Sequence, residues 1–228
     1  MAAAGRLEKE MKMASGITAP KAMRMYWSSR SPYCRKVMVV AHELNVADRL
    51  HVERVVVGSA IPNEEVMAHN PLNKIPTIIL EDGTTYSDSP VISELLDLWY
   101  GEGSLFPKEP ADRIAALRWQ ALGDGFMDLL IQRLAEVMRP AELRSQKHLA
   151  SYEKKIAAVL GRLELEVAAL ERAAFSIGHI SIGCALGHLA FRFPDIKWMD
   201  GHPQLARWYS AFAARPSAKA TEYEDKYV

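Results

Sequence analysis

Two cysteines in 228 residues, Cys34 and Cys184, are too few and too far apart for a disulfide framework, and neither sits in a CxxC pair or a Cys/His array at zinc-finger spacing. They read as reduced thiols of a cytoplasmic protein that holds no metal. Net charge is missing too. The 28 basic and 28 acidic side chains leave a formal charge of +0, without the basic surplus of a nucleic-acid binder. No stretch approaches the roughly 18 uninterrupted apolar residues of a membrane span. The first 23 residues lack a continuous apolar segment with a cleavage site, so they read as a flexible tail rather than a signal peptide. Repeats and low-complexity tracts are absent as well. What is present is 49% hydrophobic residues, in a chain long enough to bury about 70% of its extended surface without staples.

Periodicity predicts the order βαβαββα through Leu98. Met25, Tyr26 and Trp27 suit a short strand, and after Ser31-Pro32 the residues Val37, Val40, Ala41 and Leu44 recur at helical spacing. Leu50 to Val57 reads as a second strand, and Asn63 as the cap of a short helix from Glu64 to Ala68. Pro76 to Leu80, the turn at Asp82-Gly83 and Thr84 to Tyr86 form a hairpin, after which Ser89-Pro90 opens another helix. Gly101 to Pro110 reads as a linker, and no strand is predicted beyond it. Helices are expected from Ile114 to Pro140, weakened or kinked at Gly123 and Gly125, then from Ala141 to Arg172, Ile177 to Phe191, and Pro203 to Arg215, where Pro216 stops the last. The expected division is a tail over 1–23, an α/β domain over 24–100, a linker over 101–110, an all-α helical bundle over 111–220 and a tail over 221–228.

Three segments carry chemistry. In Ser31-Pro32-Tyr33-Cys34-Arg35-Lys36-Val37 a small hydroxyl residue precedes a helix whose first position is proline. Unsatisfied N–H groups and the positive end of the helix dipole converge there, a place that stabilises an anion such as a thiolate; Ser31 also reads simply as an N-cap. In Asn70-Pro71-Leu72-Asn73-Lys74-Ile75-Pro76 a proline opens a strand. A cis bond there would turn the main chain of Ile75 outward to hold an extended peptide, whereas an ordinary trans proline would carry no such role. In Asp88-Ser89-Pro90 a carboxylate stands before a second hydroxyl at a helix start, a pair suited to a zwitterionic amino-acid end or to capping alone.

In this order on this frame, the three segments resemble the cytosolic glutathione S-transferase family, over about Arg24 to the carboxy terminus. Ser-Pro-Tyr-Cys-Arg-Lys-Val is similar to the first motif of bacterial members with a serine or cysteine at the active-site helix. Lys-Ile-Pro is similar to their cis-proline turn, and Asp-Ser-Pro to their γ-glutamyl clamp. Gly183-Cys184-Ala185-Leu186-Gly187, Phe191-Arg192-Phe193-Pro194 and Ala213-Ala214-Arg215-Pro216-Ser217 look like the family's carboxy-terminal pattern. The resemblance implies a thioredoxin-like α/β domain followed by a helical bundle, a cytoplasmic homodimer, and a transferase that joins glutathione to a small electrophile. It places Ser31 at the glutathione sulfur, Ile75 and Pro76 at the cysteinyl unit, Asp88 and Ser89 at the γ-glutamyl end, and Lys74 beside the tripeptide.

Other readings stay open: a glutathione-binding protein without turnover, and a thiol oxidoreductase. Ser31-Pro-Tyr-Cys34 also resembles the Cys-Pro-Tyr-Cys site of glutaredoxins with the first cysteine replaced, which leaves Cys34 as the alternative reactive group. The electrophile itself is not legible; Trp119, Phe126, Met127, Leu130 and Arg133 on the first long helix are candidates for its pocket, although such a stripe also suits a core. Cys184 and His188, four apart on one helix, read as core rather than as a metal pair. One departure from the family pattern is Ser176-Ile177-Gly178-His179, where many members have Ser/Thr-x-x-Asp; a neutral His179 nitrogen must accept in place of the carboxylate.

Overall fold

The structure is a computed structural model that describes residues 19–225. Of the expected tails over 1–23 and 221–228, residues 1–18 and 226–228 lie outside the described residues, and Met23 belongs to the first strand rather than to a tail. Four strands form one sheet in the order β2-β1-β3-β4: β1 (Met23–Trp27), β2 (Leu50–Arg54), β3 (Thr77–Ile79) and β4 (Thr85–Tyr86). β1 runs parallel to β2, with Tyr26 opposite Glu53, and antiparallel to β3, with Tyr26 opposite Thr77; β3 pairs antiparallel with β4 through Ile78 and Tyr86. Asp82-Gly83 makes the expected hairpin: Gly83 adopts φ 84°, and the Thr84 amide donates to the Asp82 carboxylate at 2.8 Å. β2 is shorter than the Leu50-to-Val57 expectation, because past Arg54 only the Val55 amide still reaches β1, donating to the Trp27 carbonyl at 3.0 Å.

Three helices accompany the sheet: α1 (Pro32–Glu43), α2 (Glu64–His69) and α3 (Ser89–Leu96). After α3 the chain makes one π-helical turn over Asp97–Gly101, which sequence periodicity did not reveal. Its first residue is Asp97, 2% exposed, whose carboxylate accepts from the Leu105 and Phe106 amides at 3.0 and 3.1 Å. A Cβ on Gly101 would fall 2.1 Å from Asp97 Oδ1, so glycine is required where the linker begins. The linker is therefore organised around one buried carboxylate.

Five helices follow: α4 (Pro110–Val137), α5 (Gln146–Arg172), α6 (Ile177–Arg192), α7 (Pro203–Ala213) and α8 (Pro216–Lys219). Two expectations are corrected here. α4 runs unbroken through Gly123, which serves close packing: a Cβ there would sit 2.6 Å from the Ser181 backbone of α6. α5 starts at Gln146 rather than Ala141, because the Ser145 hydroxyl caps it by accepting from the His148 amide at 3.3 Å, while Ala141–Leu143 form a 3-10 turn. Pro216 ends α7 and at the same time opens α8.

At the start of α6, His179 replaces the carboxylate of a capping box. Its Nε2–H donates to the Leu170 carbonyl at 2.9 Å, which leaves Nδ1 to accept from the Ser176 amide at 3.1 Å. Burial lowers its pKa, in keeping with a neutral ring. A second buried histidine on α6, His188, finds no hydrogen-bond partner for either ring nitrogen among the described residues. Burial, with Arg192 and Arg35 nearby, depresses its pKa from 6.5 to about 3. The unfolded chain therefore takes up that proton first as pH falls, so this contribution is complete above pH 6.5 and is lost progressively towards about 3. Replacing His188 with Phe is expected to flatten the decline of melting temperature between pH 7 and 4, measured by circular dichroism; an unaltered slope would exclude this histidine as its source.

Candidate active site

The sheet topology brings the three sequence segments to one end of the molecule. β1 ends at Trp27, and the Ser28–Ser31 turn leads from it into α1. β3 runs antiparallel to β1, so its beginning, with Ile75-Pro76 just before it, lies at that same end. β4 is antiparallel to β3, so its end, followed by Asp88-Ser89, lies there as well. The amino termini of α1 and α3 consequently face one region, and both favour anionic groups.

Ser31 is the N-cap of α1, with φ −85° and ψ 121°, and its Oγ accepts from the Cys34 amide at 3.2 Å. The cap uses the hydroxyl only as an acceptor, so its donor capacity is not consumed by the helix backbone. Ile75-Pro76 is cis, and the ladder with β1 starts only at Thr77, so the main chain of Ile75 lies outside the sheet register. The preceding turn is fixed by the Lys74 carbonyl, which accepts from Asn70 Nδ2 at 3.1 Å and from Thr77 Oγ1 at 2.9 Å. Pro76 is buried, Ile75 half-buried and the Lys74 side chain exposed.

At the clamp the structure shifts one assignment by a residue. Ser89 is the first helical residue and is 1% exposed, while Asp88 holds the N-cap position without using its side chain as a cap. The exposed Asp88 carboxylate is thus not consumed by its own helix.

Cys34 has the opposite environment from a reactive thiol. It is 0% exposed, its Sγ lies 3.9 Å from the Tyr26 carbonyl, and burial pushes its pKa up to about 12, against the pull of the Ser31 hydrogen bond. Cys184 is equally buried, pushed up to about 11 by the same cause. Among the described residues no group of three or more His, Cys, Asp or Glu could hold a metal ion.

Two contacts that the sequence did not reveal join α1 to α4. The Tyr33 hydroxyl donates to the Asp128 carboxylate. One turn further on, the fully buried Lys36 places its Nζ 2.8 Å from both oxygens of Asp124. Burial lowers the pKa of Lys36 and raises that of Asp124, while their mutual contact opposes both shifts. Of the proposed pocket residues, Trp119, Phe126, Met127 and Leu130 lie in the hydrophobic core, and Arg133, 9% exposed, stacks over Phe193 at 4.2 Å. The face of α4 turned to α1 is instead the one that carries Asp124 and Asp128.

The arrangement is that of a thioredoxin-like domain whose first helix is capped by the Ser31 hydroxyl, backed by a helical domain. Residues 30–98 match the family model for the glutathione S-transferase N-terminal domain, and residues 146–211 match that for the C-terminal domain. A glutathione transferase family member from Pseudomonas fluorescens Pf-5, solved with bound glutathione, is 36% identical with a TM-score of 0.85, over 89% of this chain and 100% of that one. A glutathione S-transferase from Methylobacillus flagellatus, also with glutathione bound, is 36% identical with a TM-score of 0.77 over the same shares. The uncharacterized GST-like protein YibF of Escherichia coli is 29% identical over 205 residues, 88% of this chain and 98% of that protein. The chain belongs to the glutathione S-transferase family. None of its described helices is long and apolar enough to cross a membrane.

Proposed function

We propose that the protein is a cytoplasmic, homodimeric glutathione transferase that joins the glutathione sulfur to a small electrophile. Glutathione lies along the Ile75-Pro76 turn, with its cysteinyl unit on the Ile75 main chain and its γ-glutamyl end between Asp88 and the α3 amino terminus. Lys74 stands beside the tripeptide. Ser31 donates its hydroxyl proton to the sulfur, and the α1 dipole adds to the field that favours thiolate over thiol. The thiolate then attacks the electrophilic carbon: a sulfur–carbon bond forms and the leaving group departs with its electron pair. The observation that carries this reading is the Ser31 hydroxyl, held at the amino terminus of α1 by its cap bond. The burial of Cys34 disfavours the thiol-oxidoreductase reading.

Retention on immobilised glutathione, followed by a panel of electrophiles, tests the proposal; retention without turnover of any of them would make the chain a binding module. The finer test is Ser31→Ala. It is expected to leave glutathione affinity nearly unchanged and to raise the pKa of the bound thiol, because a hydrogen bond to a charged acceptor is worth about 1.5–3 kcal/mol. Thiolate absorbance against pH reads this, and an unmoved titration would reduce Ser31 to a cap. Asp88→Ala is expected to act in the reverse way, weakening affinity in calorimetry by about tenfold, the order of one charge-assisted hydrogen bond, without moving the thiol pKa. A drop in melting temperature with unaltered affinity would remove Asp88 from the site.

A further inference from the structure

The turn that delivers Ser31 is held from outside its own domain. Within it, the Ser31 amide donates to the Ser28 carbonyl at 3.1 Å and the Arg30 amide to Ser28 Oγ at 3.3 Å. A partly open cleft of about 170 Å³ lies between the turn and the carboxy-terminal segment, lined by Trp27, Ser28, Ser29, Arg35, Thr221 and Glu224 among others. Within the domain, Arg54 at the end of β2 donates to Ser29 Oγ at 3.4 Å; the remaining support comes from the far end of the chain. Ser29 Oγ donates to the Glu224 carbonyl at 3.0 Å, the Glu224 amide returns a bond to the Ser29 carbonyl at 3.4 Å, and Arg30 pairs with Asp225 at 3.0 Å.

This segment, expected as part of a tail, is itself well seated. The Tyr223 ring stacks on Phe191 at 5.2 Å and 12°, and the Arg35 guanidinium covers it at 4.5 Å. The Tyr223 hydroxyl donates to the Cys184 carbonyl at 2.9 Å. Arg35 also donates to the Ala218 carbonyl at 3.2 Å, and it lies so near α6 that a Cβ on Gly187 would fall 2.4 Å from its Nη1. The strap is therefore anchored on the helical domain and on α1, and it ends on the two residues that precede Ser31.

We propose that Tyr223–Asp225 is a positioning strap for Ser31: it fixes the Ser28–Arg30 turn, and thereby sets where the hydroxyl meets the glutathione sulfur. This rests on the reading of Ser31 as the sulfur's hydrogen-bond donor. Donor placement matters on the scale of about 0.5 Å, and a turn that borders a cleft can drift by that much once its bonds across the cleft are cut. Residues that bind the rest of glutathione stand on other loops, so the strap affects the state of the sulfur and not the affinity of the tripeptide.

The test compares three variants of the full chain by thiolate titration, glutathione calorimetry and thermal melting: Ser31→Ala, a chain ending at Tyr223, and Ser29→Ala. The shortened chain is expected to bind glutathione as the parent does and to raise the thiol pKa by ~0.5, about threefold less thiolate below that pKa. Ser29→Ala, which keeps every residue of the strap, is expected to shift it in the same direction by less, and it decides the matter if the shortened chain does not fold. If Ser31→Ala moves the thiol pKa while neither of the others does, and they only melt earlier, the strap is a structural tie and the proposal fails while the role of Ser31 stands. If Ser31→Ala moves nothing, both fall together.

Discussion

Asp124→Ala is expected to destabilise the fold by about 3–5 kcal/mol, the range for removing one member of a buried ion pair and stranding the other. The stranded charge is Lys36, 0% exposed, whose Nζ now has both Asp124 oxygens at 2.8 Å. Without them the ammonium must shed its proton or draw water into the domain interface. The pH dependence gives a signature. A lysine whose folded pKa lies below its unfolded value of about 10.4 costs stability wherever the unfolded chain is protonated, so the variant should recover as pH rises towards that value. Removing both charges in Lys36→Met with Asp124→Leu is expected to restore most of the loss, because a well-packed apolar pair of similar volume is often neutral or better. Chemical denaturation of the parent, Lys36→Met, Asp124→Leu and the double variant closes the cycle; a double variant as unstable as the Asp124 single variants would mean that the pair's role is not electrostatic.

Phe126→Ala is expected to cost about 3–5 kcal/mol, as for other buried aromatic side chains cut to alanine. Phe126 is 1% exposed and its neighbour Met127 0%, both within the core, with Phe126 on the side of α4 away from Asp124 and Asp128. A residue lining an open substrate pocket would behave differently, with a small change in melting temperature and a clear change in KM for the electrophile. Denaturation midpoints beside steady-state kinetics separate the two, and a stable variant with altered KM would return this stripe to the pocket. Ala121 and Gly125, exposed on the same helix as Asp124 and Asp128, are the better positions to vary when the electrophile's wall is sought.

The parts of the site that sequence made legible are local in the chain. Ser31-Pro32, Ile75-Pro76 and Asp88-Ser89 each declare themselves through the backbone demands of a helix start or a strand entry, which depend on neighbours one to three positions away. Asp82-Gly83 and Asn63 were readable for the same reason. What escaped was long-range or depended on alternatives of similar local energy. Lys36 stands in a helix among Arg35 and Val37 and reads like any solvated base; only its burial against Asp124, 88 positions later, gives it a role. The bonds from Ser29 to Glu224 and from Tyr33 to Asp128 have no spacing signal at all. The shift of the α5 start to Gln146 turned on whether Ser145 or Ala141 opens the helix, a choice decided by a cap worth about 1 kcal/mol.

The hold of the helical domain on α1 has a consequence for how the chain melts. That helix is tied at its start through Arg30 and Asp225, in its middle through Lys36 and Asp124, and at its end through Glu43, which accepts from Arg215 at 2.9 and 2.7 Å. Most buried apolar residues of both domains belong to one cluster, with Tyr26, Val55, Val66 and Ile79 in a smaller second one on the sheet. Denaturant should therefore expose the sheet and the bundle in a single cooperative transition, with an m-value scaled to the surface of the whole chain. The sheet domain expressed by itself should be a collapsed, exchange-unprotected fragment, and amides in β1 and in α6 should open to solvent hydrogen with the same global free energy.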